Sequence, residues 1–532
     1  MKTITTVCAI VAGWAVCGLA QAQKPDTLWV QHADRFMANE PIKISTIDSL
    51  EFFEDSYKAF QTYGTVTIGA NKKYRDGGTY TFQPDRWLVK PNYYSSIDYS
   101  KESSQWSFAR SQESTHFAVF WEKGLTRQSN GLINGGESSS VVNVNSLIGN
   151  VEKIWNVYVD SLGFLEPGSS LTDKTKIQMY IVNQSDWRAD GSGTDGTYWK
   201  YKSNTSTDKT STGSVTGIFH CNPWAASSLV TVAHEIGHTF QYLVGADLGS
   251  SHGLNYVLGE NSSGNEWWED CANWQAHKVY PANQFSENWG NNMNMHHMNI
   301  LHEDARYNNC YYQDWWCQQH GLKTIGRIWR EAIKPEDPIQ AYMRIFGLDE
   351  QTFADEQWLG YAHIASMDID RWYRYGRIYI NKEKQRLVKP TSAQTTYIAE
   401  ETQGWYVVDS AYCVQNYGYN ANPLTVPAEG TVIKAHFKGI SGAPGYRAVN
   451  ASYAGWRYGM VAYSTDGTRT YGEMGRDASG TVTITVPAKC QYIWLVVMGA
   501  PTTYWTHSWD SNAANDEQWP YAVRLEGTSI KQ

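Results

Sequence analysis

The chain has 532 residues, which is too long for a single hydrophobic core and indicates about three structural units. Its formal net charge is −9 and 18% of its residues are charged, so no basic surface points to nucleic acid or to an anionic membrane. The 24 Trp and 35 Tyr residues mainly serve packing. Aromatic rings also stack on sugar faces, so contact with glycans stays open.

The first 22 residues are typical of a signal peptide rather than of a folded unit. Lys2 supplies the positive charge, residues 7–19 form a short apolar run, and residues 20–22 form a small-x-small cleavage site. Cys17 follows Val16 rather than a small residue, which disfavours a lipoprotein anchor. No later stretch reaches the roughly eighteen apolar residues of a membrane helix. We therefore expect a secreted, periplasmic or cell-surface protein with no transmembrane segment.

Residues 23–95 alternate β-like runs with turn-forming residues, which predicts a small β-rich N-terminal module. The β-like runs are Thr27–Gln31, Ile42–Ser45 and Tyr63–Ile68.

The next unit, residues 96–388, mixes the patterns of strands and helices. Residues 117–121 and 176–182 have the composition of buried strands. A helix is predicted over residues 144–162, because its apolar residues recur at helical spacing. The residues on that stripe are Leu147, Val151, Ile154, Tyr158 and Leu162.

The segment from Ala189 to Ser214 is rich in Gly, Ser, Thr, Asp and Lys and poor in apolar residues. This composition predicts a long mobile loop or a loose hairpin. A loop of such length in a compact domain is often functional. It leads into Ser214–His220, which has the pattern of a strand.

The most informative motif lies in residues 229–243, LVTVAHEIGHTFQYL, which are predicted to form a buried amphipathic helix. His234 and His238 are four residues apart, so they project from one face and can ligate one metal ion. Glu235 lies roughly 100° around the helix axis, where it can hold a water molecule. Gly237 suits a helix that another backbone approaches closely. This His-Glu-x-x-His signature of zinc hydrolases predicts Zn²⁺ as the cofactor.

A catalytic zinc site needs a third protein ligand and an open fourth position. Residues 264–277 form a second helix-like run whose acidic residues are embedded among aromatic ones. We choose Glu269 as the ligand, because Ala272 shares its helical face and lets the two helices pack closely. Asp270 and Glu266 are the competing carboxylates.

After the third ligand, residues 285–372 are rich in helix formers and aromatic residues. Further helices are predicted at Lys323–Ile333 and Pro338–Phe346.

Residues 389–532 change to a period of two, which predicts an all-β sandwich. Such a domain commonly serves as an accessory binding or spacing module. Trp505, Trp509 and Trp519 are candidates for an aromatic platform that contacts glycans, although core packing is the commoner role. The alternating runs are residues 433–437, 456–462, 482–486 and 521–525.

Two of the 8 cysteines lie in the signal peptide, and the other six would meet an oxidising compartment after export. Their pairing cannot be fixed from sequence alone. Metal ligation by Cys221 and Cys271 is disfavoured, because two histidines and a glutamate already complete a catalytic zinc shell. The disulfides that we favour are Cys310 with Cys317, Cys413 with Cys490, and Cys221 with Cys271.

The pattern of His234, Glu235 and His238, followed by WEDCA at residues 268–272, resembles the gluzincin class of zinc metallopeptidases. That class uses HExxH together with a glutamate on the next helix. The longer form HEIGHTFQ, residues 234–241, is similar to the HExGHxxQ form of enhancin-like and mucin-degrading peptidases. The whole chain further resembles secreted bacterial proteins of uncharacterised function, in which such a domain precedes a C-terminal β-domain.

The resemblance implies a zincin-like catalytic domain over residues 96–388. It places the strand Ser214–His220 at the border of the cleft, where an extended substrate could add to the strand edge. It also implies that a Tyr or His beyond the third ligand stabilises the oxyanion, and Tyr307 and His302 are the candidates.

We therefore expect a multidomain α+β protein that acts as a monomeric, secreted zinc peptidase on proteins or glycoproteins. In this interpretation Glu235 is the general base. The alternative is a non-catalytic adhesin or glycan-binding protein on a peptidase-like scaffold, with glycan contact through the C-terminal β-domain. Glu235 argues for the enzyme, since a purely structural zinc site has no use for an unliganded carboxylate beside the metal.

Overall fold

The computed structural model describes most of the chain beyond residue 87. The described residues are 88–173, 175–201, 207–249, 253–254, 267–285, 288–370, 372, 397–399 and 404–531, with four short strands nearer the N-terminus. The predicted signal peptide, the run Tyr63–Ile68 and the competing ligand Glu266 lie outside them. Within the described part of the chain, no helix combines the length and the hydropathy needed to cross a membrane.

The four N-terminal strands form two separate antiparallel pairs. β1 (Thr27–Val30) pairs with β2 (Glu40–Lys43), and β3 (Lys72–Lys73) pairs with β4 (Thr79–Tyr80). β1 and β2 overlap two of the β-like runs predicted for this region.

A mixed six-stranded sheet is the base of the central lobe, with the strand order β5-β12-β13-β11-β7-β6. β7, β11 and β13 run parallel, and the other three strands are antiparallel to their neighbours. β8, β9 and β10 form a small separate sheet. The strands are β5 (Leu88–Pro91), β6 (Ser111–Glu113), β7 (Phe117–Trp121), β8 (Thr126–Arg127), β9 (Leu132–Asn134), β10 (Val142–Asn143), β11 (Ile177–Ile181), β12 (Ala189–Tyr201) and β13 (Thr207–Cys221).

On either side of residues 202–206, the polar segment from Ala189 to Ser214 forms the two strands of a hairpin, which is one of the two structures predicted for it. β12 and β13 pair antiparallel from Ala189 opposite Cys221 to Tyr201 opposite Thr207. β5 pairs with β12 between Gly196 and Trp199, so the sheet of the central lobe begins at residue 88.

The helices of the lobe lie where helical spacing predicts them. The predicted stripe on the first helix is buried, and a π-helical turn at Val157–Ser161 extends that helix. The helix predicted over residues 229–243 begins after its N-cap Ser228 and continues to Leu248. The helices are α1 (Val144–Asn156), α2 (Pro223–Ser227), α3 (Leu229–Leu248), α4 (Trp267–Val279), α5 (Trp289–Met295), α6 (Tyr312–His320), α7 (Thr324–Glu331), α8 (Pro338–Phe346) and α9 (Glu350–Ala365).

The C-terminal region is a sandwich of two antiparallel sheets. The outer sheet has the order β14-β15-β22-β17-β20, and the inner sheet has the order β16-β21-β18-β19. Phe437, Tyr458 and Leu495 belong to the core between them. The strands are β14 (Tyr397–Ala399), β15 (Trp405–Val408), β16 (Tyr419–Leu424), β17 (Val432–Gly439), β18 (Trp456–Ser464), β19 (Arg469–Tyr471), β20 (Ser479–Thr485), β21 (Cys490–Gly499) and β22 (Tyr521–Glu526).

The inner sheet is covered on both faces, because its second face packs on the helical lobe. β18 is buried along its whole length, whereas the outer strand β17 alternates between buried and exposed residues. Val496 of β21 shares the lobe's core cluster with Trp358 and Tyr361 of α9. The indole nitrogen of Trp358 donates a hydrogen bond to the Val496 carbonyl at 3.1 Å. The lobe and the sandwich therefore share a continuous core.

The predicted disulfides are wrong, because none of the six cysteines forms a disulfide bond. Their sulfurs face other groups: the Cys271 thiol donates to Gln313 Oε1 at 3.2 Å, and Cys310 Sγ lies 3.8 Å from His277 Nδ1. Burial raises the pKa of the Cys271 thiol well above its usual range. The thiol therefore keeps its proton and acts as a hydrogen-bond donor.

Candidate metal centre

Two close approaches hold α3 between the central sheet and α4. A Cβ at Gly191 of β12 would lie 1.8 Å from the carbonyl oxygen of Glu235, so only glycine fits beneath the helix. A Cβ at Gly237 would lie 3.2 and 3.3 Å from Cα and Cβ of Ala272 on α4. The predicted close contact between the two helices at Gly237 and Ala272 is therefore present.

This packing brings together the three side chains predicted as metal ligands. His234 Nε2 and His238 Nε2 are 3.0 Å apart, and Glu269 Oε2 lies 3.1 Å from each of them. The side chains of His234 and Glu269 are each 14% exposed, and that of His238 is 4% exposed. The three ligand atoms thus form a nearly equilateral triangle, and two of the three side chains are partly exposed to solvent.

The tautomer of His234 is set by Asn273. The Asn273 amide nitrogen donates to the carbonyl oxygen of Tyr307 at 2.7 Å. Its oxygen therefore faces His234 Nδ1, also at 2.7 Å, and accepts a proton from it. With Nδ1 protonated, the Nε2 of neutral His234 carries a lone pair.

Gln241 sets the tautomer of His238 in the same way. Its amide nitrogen donates to the carbonyl oxygen of Trp268 at 2.9 Å, and its oxygen lies 3.0 Å from His238 Nδ1. The Nε2 of neutral His238 therefore also carries a lone pair, as in metal sites whose imidazoles are oriented by outer hydrogen bonds.

Two imidazole lone pairs and a carboxylate oxygen face one another at 3.0–3.1 Å. This arrangement is repulsive unless a cation or a proton lies among the three atoms. Tetrahedral Zn²⁺ with ligands at about 2.0–2.2 Å needs them about 3.3 Å apart. A proton removes the repulsion: burial acts to raise the pKa of Glu269, but positive charge on His238 and His234 and their hydrogen bonds hold it far below its usual range. A metal ion would take the place of that proton. The donor set and its spacing therefore fit a divalent metal such as Zn²⁺.

Glu235 is held by the sheet and not by the histidines. Its side chain is buried, and its Oε2 accepts a hydrogen bond from the Gly191 amide at 2.7 Å. One carboxylate oxygen is thus anchored on β12, which fixes the orientation of the other.

Asp270, the competing carboxylate in the described chain, turns away from the triangle. Its Oδ1 accepts a hydrogen bond from the Asn309 amide at 3.1 Å. Burial raises the pKa of Asp270 well above its usual range. This carboxyl group is therefore a buried partner of the main chain rather than a ligand.

Of the two residues proposed to stabilise the oxyanion, Tyr307 lies beside the metal-binding triangle. Its ring stacks over His234 with 6.4 Å between the centroids, and it is 43% exposed. Burial, followed by the charge of Glu269, raises the pKa of Tyr307 to about 12. Its hydroxyl therefore keeps its proton at neutral pH and can donate a hydrogen bond.

His302 belongs to a different cluster, which corrects its assignment as an oxyanion candidate. Its Nε2 lies 3.3 Å from Asp516 Oδ2, and its ring stacks on that of His507. His302 caps the 3₁₀ turn Glu303–Ala305, and this position directs the ring towards the sandwich.

The family resemblance places residues 214–220, which belong to β13, at the border of the cleft. The strand that lies against Glu235 is instead β12. β13 is paired on both sides, with β12 and β11, so no substrate strand can add to it. β12 pairs with β5 only from Gly196 onwards. Among the described strands, none covers the outer edge of residues 189–195.

Asn273, Gln241 and Gly191 are the site residues whose roles the sequence did not indicate. A weak signal existed for two of them: Asn273 lies one helical turn after Glu269, and Gln241 closes the HExGHxxQ pattern. The role of Gly191 depends on the hairpin fold of a segment with the composition of a loop.

The fold and the site define a mixed α+β protein in which a helical lobe carries a His–His–Glu cluster and packs on a C-terminal β-sandwich. Residues 82–532 match the model of a family described as "Family of unknown function (DUF6055)", and the chain belongs to this family. The cluster lies within the matched range. Searches among curated proteins and among solved structures give no match.

Proposed function

We propose that this chain is an exported zinc-dependent peptidase that hydrolyses peptide bonds in proteins or glycoproteins. The observation that carries the proposal is the triangle of His234, His238 and Glu269 atoms at 3.0–3.1 Å, whose histidine tautomers leave both Nε2 lone pairs available. Export rests on the signal-peptide pattern of residues 1–22.

The three side chains would hold Zn²⁺ through two nitrogens and one oxygen, which is the ligand set of many zinc hydrolases. When bound, the ion polarises a carbonyl group and lowers the pKa of a water molecule to about 7. The part-exposed side of the triangle leaves room for that water and for the substrate.

Glu235 acts as the general base. The Gly191 amide holds its Oε2, which leaves the other oxygen to accept the proton of the attacking water and return it to the leaving amine. The hydroxyl of Tyr307 donates to the carbonyl oxygen as negative charge develops on it.

The substrate lies along the outer edge of β12. Residues 189–195 of this edge have a strand partner on one side, so the main chain of an extended peptide can pair with them. Because Gly191 belongs to this edge and also holds Glu235, a peptide bound there lies beside the base.

An exposed tryptophan pair favours glycoproteins among the possible substrates. Trp187 precedes β12 and Trp224 lies on α2, which precedes the metal-bearing helix. The two side chains are 48% and 52% exposed, and their rings meet edge to face at 4.9 Å. Such rings can stack on a sugar or on an aromatic side chain. The same pair would serve an adhesin on a peptidase-like scaffold, which is the alternative function.

The decisive variant is Glu235→Gln, which removes the base and leaves the three ligands in place. Zinc content and thermal stability should stay near those of the parent. Hydrolysis should fall by at least the roughly 10²–10⁴-fold that general-base catalysis contributes. The matched control is Glu137→Gln, the same change at an exposed position, which should keep full activity.

Both proteins should be compared at saturating zinc on a panel of proteins and mucins. Equal cleavage by Glu235→Gln and parent would exclude Glu235 as the base. If the parent cuts nothing on the panel, while both proteins bind glycans equally well, the adhesin replaces the peptidase.

A further inference from the structure

A second cluster of histidines and carboxylates lies where the lobe meets the sandwich. His302 and Glu303 come from the lobe, and His507 and Asp516 come from the segment between β21 and β22. His302 Nε2 lies 3.3 Å from Asp516 Oδ2, and His507 Nε2 lies 3.1 Å from Glu303 Oε2 and 4.0 Å from Asp516 Oδ1. None of the four side chains is more than 11% exposed.

Two arginines reach the edge of this cluster. Arg447 Nε bonds the carbonyl oxygen of Asp516 at 2.9 Å, and Arg306 Nη1 bonds that of Glu303 at 2.7 Å. The side-chain oxygens of Asp516 and Glu303 face the two histidines instead. The histidines or a bound cation therefore supply much of the compensation for the two buried carboxylates, because unpaired buried charge is costly.

We propose that His302, His507 and Asp516 form a second metal site beside the carboxylate of Glu303. One ligand atom from each of the three residues lies within 4.8 Å of the others. The His302–Asp516 pair already has the separation of about 3.3 Å that ligands of tetrahedral Zn²⁺ require, and His507 must move inwards by about 1 Å. Two imidazoles and a carboxylate select Zn²⁺ or another divalent transition metal over Ca²⁺ and Mg²⁺.

The protons balance when the metal binds. His302 Nδ1 accepts a hydrogen bond from the Asp304 amide, so its Nε2 carries the proton and donates to Asp516. Ligation through Nε2 moves this proton to Nδ1, which lies 3.7 Å from Glu303 Oε2. The Asp304 amide then loses its imidazole acceptor. His507 Nε2 gives up the proton that it donates to Glu303, and this proton leaves to solvent as the metal binds. Both histidines are then neutral, and the two positive charges of the ion offset the two carboxylates.

This site is closed to solvent and joins two parts of the chain, as structural metal sites do.

The second site also contacts segments that lie beside the first metal centre. Tyr307, which stacks over His234, follows the turn that carries His302 and Glu303. Trp509, two residues after His507, packs against Trp268 with 5.4 Å between ring centroids. Trp268 is the residue before Glu269. The second metal therefore fixes both segments that frame the first centre.

The test is a metal count on purified full-length protein that has been saturated with Zn²⁺ and desalted. We expect the parent to hold about two zinc ions, and His507→Ala, His238→Ala and the double variant about one, one and none. His436→Ala should keep both ions. His436 also pairs with a glutamate, Glu526 at 2.7 Å, but it lies on the outer sheet.

This experiment tests the two proposed metal sites independently. A parent with about one zinc, which His507→Ala keeps and His238→Ala loses, overturns the second site and leaves the proposed peptidase intact. The reverse pattern supports the second site and removes the metal centre of the peptidase.

A titration covers the case in which His507→Ala does not fold. Zn²⁺ is titrated into metal-free His238→Ala and followed by calorimetry and thermal unfolding. One binding event that raises the unfolding temperature supports the second site. Absence of binding overturns it.

Discussion

The two His–carboxylate clusters of this protein differ in how open they are. The cluster of His234, His238 and Glu269 comes from two neighbouring helices and is partly open to solvent, with two of its side chains 14% exposed. The cluster of His302, His507 and Asp516 is drawn from two segments more than 200 positions apart, and its side chains are 5–6% exposed. An open cluster can admit a substrate, whereas a closed one can only hold parts of the fold together.

The groups beside the two clusters also differ in the chemistry that they offer. The open cluster has Glu235 and Tyr307 beside it, one poised to accept a proton and the other to donate a hydrogen bond. The closed cluster has the main chain of the interface around it, with arginines bonded to carbonyl oxygens. Under the two proposals, the first cluster carries out chemistry and the second holds the lobe and the sandwich together.

Removing the open cluster's carboxylate should have the largest effect. Glu269→Ala leaves two histidine ligands, so zinc affinity at this centre should fall by more than the roughly 10–100-fold that a supporting residue costs. Affinity is measured by competition with a chromophoric chelator.

Asp270→Ala is the matched control for Glu269→Ala. It should lower stability, because the Asn309 amide loses its acceptor, and it should leave the zinc affinity unchanged. If Asp270→Ala loses zinc and Glu269→Ala keeps it, the assigned carboxylate is wrong.

The residues that set the histidine tautomers should have the next largest effect. Gln241→Met and Asn273→Leu keep the size of the side chain but remove the acceptor for Nδ1–H. Each should weaken zinc binding about 10–100-fold. Asn294→Leu removes an amide on the exposed side of α5 and should change nothing. Unchanged affinity in both variants would show that the tautomers are set by other groups.

A smaller effect is expected where the lobe and the sandwich meet away from the second cluster. Asp355 of α9 bonds Arg457 at 2.6 Å and Arg476 at 2.8 Å, both from the sandwich. Burial opposes ionisation of Asp355, but the two arginines hold its pKa below its usual value. The stabilisation is therefore present at neutral pH and is lost as the pH falls through the lowered pKa.

Asp355→Asn should cost about 1–2 kcal/mol in the free energy of unfolding at pH 7, measured by urea denaturation. The cost should shrink in acid, where the parent's own carboxylate is protonated. Asp98→Asn, at an exposed carboxylate, is the control. A cost that does not change with pH would mean that the ion pairs do not stabilise the interface.

Local periodicity predicted much of the fold and the first centre. Short stretches of sequence contain the two histidines at i and i+4 and the glutamate on the next helix. The periodicity of the same stretches predicts the helices that carry them. The sandwich was predicted from alternation in β17, β18, β20 and β22. The sequence could not show that β18 is buried on both faces, because that depends on what packs against it.

The points that the sequence left open or predicted wrongly depend on close packing, which composition does not show. The composition of residues 189–214 left a loop and a hairpin both possible, because the hairpin's glycines are needed where α3 lies against the sheet. The cysteines were paired on the assumption of export, but their sulfurs face other groups in the core. His302 was assigned to the first centre, although its partners lie about two hundred residues further along the chain.

The most direct test of the metal centre is anomalous diffraction at the zinc edge from crystals grown with Zn²⁺. We predict a peak at about 2.0–2.2 Å from His234 Nε2, His238 Nε2 and Glu269 Oε2, with a water or substrate atom in the fourth position. A zinc-saturated crystal with no peak among these three atoms would contradict it.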